Sequence, residues 1–171
     1  MKSLPDVRPA QPTRVERVLG SVDRGVGRMP WLRRFLLWPI WTRPGYWFAT
    51  GAIFVWGLVV GGRFGKKNGM HYFRGLPSWA FGRGGTTIGA IYLTRDNDSD
   101  DVMEHEAEHR AQWKHYGLAF IPLYVAAGTD ALTNRFEVGA GLELGGYVRG
   151  RRPRPKNPTA KTPPPTTSPA E

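Results

Sequence analysis

Residues 101–117, DVMEHEAEHRAQWKHYG, are the stretch from which the rest of the chain is read. A polar loop, Asp96 to Asp101, stands before it and can cap a helix, and Gly117 stands where a helix would stop, so the spacing predicts a helix over 101–116. His105 and His109 are four residues apart and project from one face of that helix, close enough to share one Zn²⁺. Glu106 adjoins the first histidine. In that geometry a carboxylate can serve as general base toward water at the metal. Gln112 lies seven residues after His105, on the same face.

The chain has 171 residues and no cysteine. Thiolate zinc sites, disulfides, a cysteine nucleophile and iron–sulfur clusters on its own thiolates are excluded. A metal must be held by His, Asp or Glu, and two histidines need a third ligand. His115 is one candidate, because His105, His109 and His115 have the metzincin spacing. That family has glycine where Gln112 stands and needs a methionine downstream, whereas Met1, Met29, Met70 and Met103 all lie upstream. With glutamine the helix continues and carries His115 about 80° around from His105. Glu137 is the better candidate, on a helix expected from about Ala131 to Leu144. Glu143 and Asp130 are weaker ones. Asp96, Asp98 and Asp100 have the alternation of a calcium loop but lack its glycine and terminal glutamate. They read better as charges favouring the N-terminus of the 101–116 helix.

Upstream, Thr13 is a plausible cap for a short helix to about Leu19, and Pro30 starts a second one. Trp31, Phe35 and Trp38 share a stripe of that second helix, with Arg33 and Arg34 off it. This suits either a membrane interface or packing on the rest of the chain. Gly45 to Gly62 is the longest uncharged stretch. It is just long enough to span a bilayer, while Ala52 to Val60 could instead be a buried strand. Gly61 to Gly69 reads as a turn, Met70 to Arg74 as a short strand, and Thr86 to Thr94 as one strand. Leu118 to Ala127 is apolar and broken by Pro122. The last nineteen residues hold seven prolines. The division expected is a flexible basic arm (1–30), an aromatic hydrophobic region (31–62), a metal-binding domain (63–147) and a disordered tail (148–171). No cleavable signal peptide is expected, since arginines interrupt the first thirty residues.

Charge is segregated. Residues 1–95 carry 15 Lys or Arg against 3 Asp or Glu, residues 96–147 carry 3 against 10, and residues 148–171 carry 6 against 1. The acidic centre would repel phosphate and no nucleic-acid motif is present, so nucleic acid is an unlikely partner. The basic flanks suit an anionic membrane surface.

Gly85-Thr-Thr-Ile-Gly89, then His105-Glu106-x-x-His109-x-x-Gln112, then Asn134-x-Phe136-Glu137-x-x-Ala140, resemble the compact zincin-like domains of bacteria, minimal gluzincins. The resemblance covers roughly residues 70–147. It implies an α+β fold, mainly helical, with a short sheet beside the metal helix. It also implies His105, His109 and Glu137 as zinc ligands, Glu106 as base, and an edge strand able to pair with an extended peptide. Tyr124 and Tyr147 are candidates to stabilise an oxyanion. The expected function is a zinc-dependent hydrolase, a small metallopeptidase acting on a peptide or protein, membrane-associated or cytoplasmic. The alternative is a membrane-surface interaction protein with a structural or degenerate metal site.

Overall fold

The computed structural model describes residues 11–82 and 84–148. The first ten residues of the expected arm, and all of the expected tail but Val148, lie outside the described residues. Within them the fold is mixed α+β, mainly helical, with one four-stranded sheet.

Helix α1 is Arg14–Gly27. Thr13 and Glu16 close a capping box, each side chain meeting the other's backbone N–H. The expected stop near Leu19 is wrong: Val22 and Val26 continue the apolar spacing, and Gly20 lies against Ala126. Glu16 also accepts from the Thr129 N–H at 2.9 Å, which ties α1 to the far end of the chain. Helix α2 is Pro30–Leu36, with Pro30 at its first turn.

Helix α3, Pro39–Val59, replaces both readings of the uncharged stretch. It is no strand, because Thr42, Gly45, Tyr46, Ala49 and Gly57 are buried at helical spacing, not on alternate residues. No helix among the described residues is long and apolar enough to cross a membrane. Glycine lets α3 sit close to the sheet: a Cβ on Gly57 would come within 2.6 Å of the Phe73 ring.

The sheet has order β1-β2-β4-β3. Strand β2 (Met70–Arg74) is the short strand expected there, and it pairs antiparallel with β1 (Arg63–Lys67), which lies in the stretch 61–69 that composition suggests is only a turn. Only Asn68 and Gly69 turn, with φ of 49° and 77°. An Asn-Gly pair with both residues in the left-handed region matches the tight hairpin connection that strand twist favours. The expected strand 86–94 is likewise two strands, β3 (Gly85–Ile88) and β4 (Ile91–Thr94), antiparallel about Gly89. Gly89 has φ 60°, and a Cβ there would meet Thr50 of α3 at 2.4 Å. The Thr50 hydroxyl accepts from the Ala90 N–H, which fixes the hairpin to α3. Strand β4 runs parallel to β2 inside the sheet, and β3 is left at its edge.

Helix α4, Asp100–Tyr116, is the helix read from residues 101–117. It ends at Gly117, φ 56°, where a Cβ would collide with the Thr42 carbonyl at 2.5 Å. A 3₁₀ turn (Gly117–Ala119) leads into α5, Phe120–Ala126. The final helix α6 is only Arg135–Ala140, shorter at both ends than the expected 131–144. Asp130 holds residues 130–134 as a turn, its carboxylate accepting from Leu132 N–H and its carbonyl from Thr133 and Asn134. Gly141, φ 94°, stops the helix.

Tyr46 and Ala49 of α3 pack with Trp113, Phe120 and Phe136, and Phe73, Leu76, Ile91 and Leu93 form a second cluster on the sheet. Each fully buried aromatic or branched side chain contributes about 1.5–3 kcal/mol. Val102 and Met103 of α4 pack on Met70 and Tyr92 of the sheet, and Trp113 packs on Phe120 and Phe136, so α4 lies between the sheet and the C-terminal helices.

Candidate metal centre

The buried side of α4 is Val102, Met103, His105, Glu106, His109 and Trp113. Trp113 anchors it to the edge strand, its indole N–H donating to the Thr87 carbonyl at 2.8 Å. One turn earlier, His109 therefore faces α5 and α6, not solvent.

Asn134 positions the third member. It is fully buried, and its amide donates to the carbonyls of Tyr124 and Gly128 while its oxygen accepts from the Phe136 N–H. It thus caps α6 and ties that helix to the end of α5. The first turn of α6 then carries Glu137 inward, where it is 3 % exposed. Its Oε2 lies 3.2 Å from His105 Nε2, and its Oε1 lies 3.4 Å from His109 Nε2.

The outer nitrogens settle the tautomers. His105 Nδ1 is 3.2 Å from the Ala140 carbonyl and 3.1 Å from that of Gly141. A carbonyl only accepts, so Nδ1 carries the proton. His109 Nδ1 is 2.9 Å from Gln112 Oε1, and Gln112's amide nitrogen donates to the Phe136 carbonyl. That second bond orients the amide so that its oxygen faces His109, which must donate from Nδ1. In the neutral imidazoles both Nε2 atoms then carry lone pairs, and these two atoms lie 3.1 Å apart. Two lone pairs and a carboxylate converging in a buried space repel one another unless a proton on one Nε2 or a metal ion sits among them.

His105, His109 and Glu137 form a buried group that could hold a metal ion, their ligand atoms all within 4.8 Å of one another. Glu137 Oε2 has no hydrogen-bond partner among the described residues. The donor set fits a divalent ion taking nitrogen and oxygen ligands.

Burial alone would raise the Glu137 pKa, but the two imidazoles and the Tyr124 hydroxyl outweigh it and hold the carboxyl well below the usual range. Tyr124 donates to Glu137 Oε1. Burial and that carboxylate push the tyrosine's own pKa up, so it stays a donor. Burial opposes charge on His109, yet Glu137 and Glu106 prevail and raise its pKa. Burial also raises the pKa of Glu106, against the pull of His109 and His105.

A cleft of about 550 Å³ opens beside the triad. Edge strand β3 forms one wall through Thr86 and Thr87, and Glu106, Tyr124, Glu137 and Tyr147 line the rest. The Glu106 Oε2 and Thr87 Oγ1 atoms on this wall are buried without hydrogen-bond partners. Burial and Glu137 push the Tyr147 pKa up to about 12, so it too remains protonated.

The alternative ligands stand elsewhere. His115 is exposed, because Gln112 lets α4 run on through Tyr116. Asp130 and Glu143 are exposed as well. Asp98 and Asp100 pair with Arg74 and Lys67. The sequence placed Gln112 on the right face without assigning it the orienting of His109; its spacing of three from that histidine is the readable signal. Asn134 was legible only as part of a motif. Gly145 left no signal at all, yet a Cβ there would lie 2.8 Å from the His105 ring. Comparison of the chain with protein-family models, curated proteins and solved structures found no match.

Proposed function

We propose that the protein is a zinc-dependent hydrolase, a small metallopeptidase of gluzincin type. The observation that carries this reading is the convergence of His105 Nε2, His109 Nε2 and Glu137 on one point at the edge of a cleft walled by Glu106. His105, His109 and Glu137 would hold the ion, and a bound Zn²⁺ would supply Lewis acidity toward a carbonyl and toward water.

The remaining chemistry falls to the chain. Glu106 is buried, with a raised pKa and an oxygen free of partners. Such a carboxylate accepts a proton from an attacking water and returns it to a leaving amine more readily than an exposed one. Tyr147, still protonated and on the cleft wall, would donate to a developing oxyanion. Tyr124 steadies Glu137 in its ligand orientation. Strand β3 leaves one edge unpaired in the sheet, so an extended peptide could add to it.

The test is metal analysis joined to a peptide-hydrolysis assay. Purified protein is expected to carry near one zinc per chain, and His109→Ala to lose it. Glu106→Gln is expected to keep the zinc and lose hydrolysis. Protein purified without chelators that holds no zinc and takes up none would overturn the reading, and full activity in Glu106→Gln would remove Glu106 from it.

A further inference from the structure

Helix α3 is apolar on both sides. Its inner side packs on the sheet and α4, while Trp41, Trp47, Phe48, Val55, Leu58 and Val59 are 53–79 % exposed on the outer side. Trp31 and Phe35 of α2, which has no buried residue, extend this surface. A helix hydrophobic all round is normally covered on every side, and monomeric proteins rarely expose so much contiguous apolar surface.

We infer that the exposed α2–α3 face docks onto an anionic lipid bilayer, with α3 lying in the plane of the interface. Charge selects the occupant. Residues 24–95 contain eleven Lys or Arg and no Asp or Glu, and of these Lys67 and Arg74 pair with Asp100 and Asp98. Arg33 and Arg34 precede α3, Arg43 lies near its start, and Arg63 and Lys66 follow its end. The helix is about 30 Å long at 1.5 Å per residue, so cations flank an apolar strip at both ends. Tryptophan and cations around an apolar strip match the layering of headgroup over acyl chain. The helix lies flat because its inner face is already committed to the sheet and α4, and spanning would drag these into hydrocarbon.

A groove of about 750 Å³ beside α3 repeats the pairing, with Trp47, Phe54 and Phe64 as apolar wall and Arg110 and Lys114 as cations. A second copy of the chain is a poor occupant. A two-fold contact through this face would set its own arginines against one another with no acidic partner in residues 24–95.

The full-length protein is to be sedimented with vesicles of phosphatidylcholine alone and of phosphatidylcholine mixed with phosphatidylglycerol. Binding is expected on the anionic vesicles, weakening with salt, and little on the neutral ones. Trp47→Ser with Phe48→Ser should weaken that binding at least ~tenfold while leaving helical circular dichroism and metal content unchanged. If that pair unfolds the chain, Val55→Ser with Val59→Ser is the second test of the same face. Undiminished binding by a folded variant would assign the lipid contact to other basic segments and overturn the inference. So would failure to bind either vesicle, or equal binding to both. A wild-type dimer that the variants dissociate, without vesicle binding, would give the face to a second copy. Metal content is independent of all these outcomes, so they do not bear on the hydrolase reading.

Discussion

Gln112 Oε1 accepts the Nδ1 proton of His109 across 2.9 Å, and the same amide donates to the Phe136 carbonyl on α6. One side chain thereby fixes the tautomer of a histidine on α4 and joins α4 to the helix that carries Glu137. The two helices are held at the separation at which Glu137 reaches both imidazoles.

Replacing Gln112 with Ala frees the His109 ring and removes the tie to α6. On the proposed zinc reading, affinity for the ion is expected to fall by about 10- to 100-fold, the usual cost of losing a partner behind a ligating histidine. Competition with a fluorescent chelator measures this. An unchanged affinity would mean that His109 needs no such partner.

Gly145→Ala tests the space behind His105. The added methyl would lie 2.8 Å from the His105 ring and 2.8 Å from that of Tyr147, too close for either to stay in place. The variant is expected to bind zinc more weakly than wild type. Gly146→Ala is not the matching control, since Gly146 has φ 76° and would be strained by itself. Gly139→Ala serves better, because a Cβ there meets nothing nearer than 3.8 Å.

Asn134→Ala removes three hydrogen bonds made by a fully buried side chain. The Gly128 carbonyl loses its donor, the Tyr124 carbonyl keeps only the Ala127 N–H, and the cap on the Phe136 N–H of α6 is lost. The expected cost is about 2–4 kcal/mol, set by the unpaired buried groups and the cap. Urea unfolding of the metal-free protein isolates this from any effect of bound metal.

Glu16 supplies a pH dependence. The Thr13 backbone and hydroxyl and the Thr129 N–H lower its pKa from an ordinary 4.5 to about 2. A carboxylate with a depressed folded-state pKa contributes stability that is complete above the unfolded value. That contribution should decline as the pH falls from about 4.5 through about 2. Glu16→Gln should flatten this part of the melting-temperature profile relative to wild type. Parallel profiles for the two proteins would remove the Glu16 contacts as a cause.

Much of this arrangement is readable along the chain. The i, i+4 histidines define one helix face, Gly117 ends that helix, and the absence of cysteine restricts ligands to His, Asp and Glu. The place of Glu137 on a later helix makes it the better third ligand. Other features differ from what the local sequence suggests, for identifiable reasons. Residues 45–62 are uncharged on every side, so neither a period of two nor one of 3.6 stands out, and the strand reading of 52–60 stayed open until contacts chose the helix. In 86–94 the β-branched and aromatic residues on both sides of Gly89 read as one strand and hid the turn there.

By itself the sequence determined what depends on nearest neighbours along the chain: helix faces, caps, the stop at Gly117 and the kinds of side chain able to hold a metal. Only the tertiary structure decided that Glu137, and not His115, Asp130 or Glu143, meets the two histidines, and that Ala140 and Gly141 offer their carbonyls to His105. Local periodicity follows from the repeat of one helix. The meeting of α4 and α6 depends on how Asn134, Gln112 and the aromatic cluster set two helices against each other across more than twenty residues of chain.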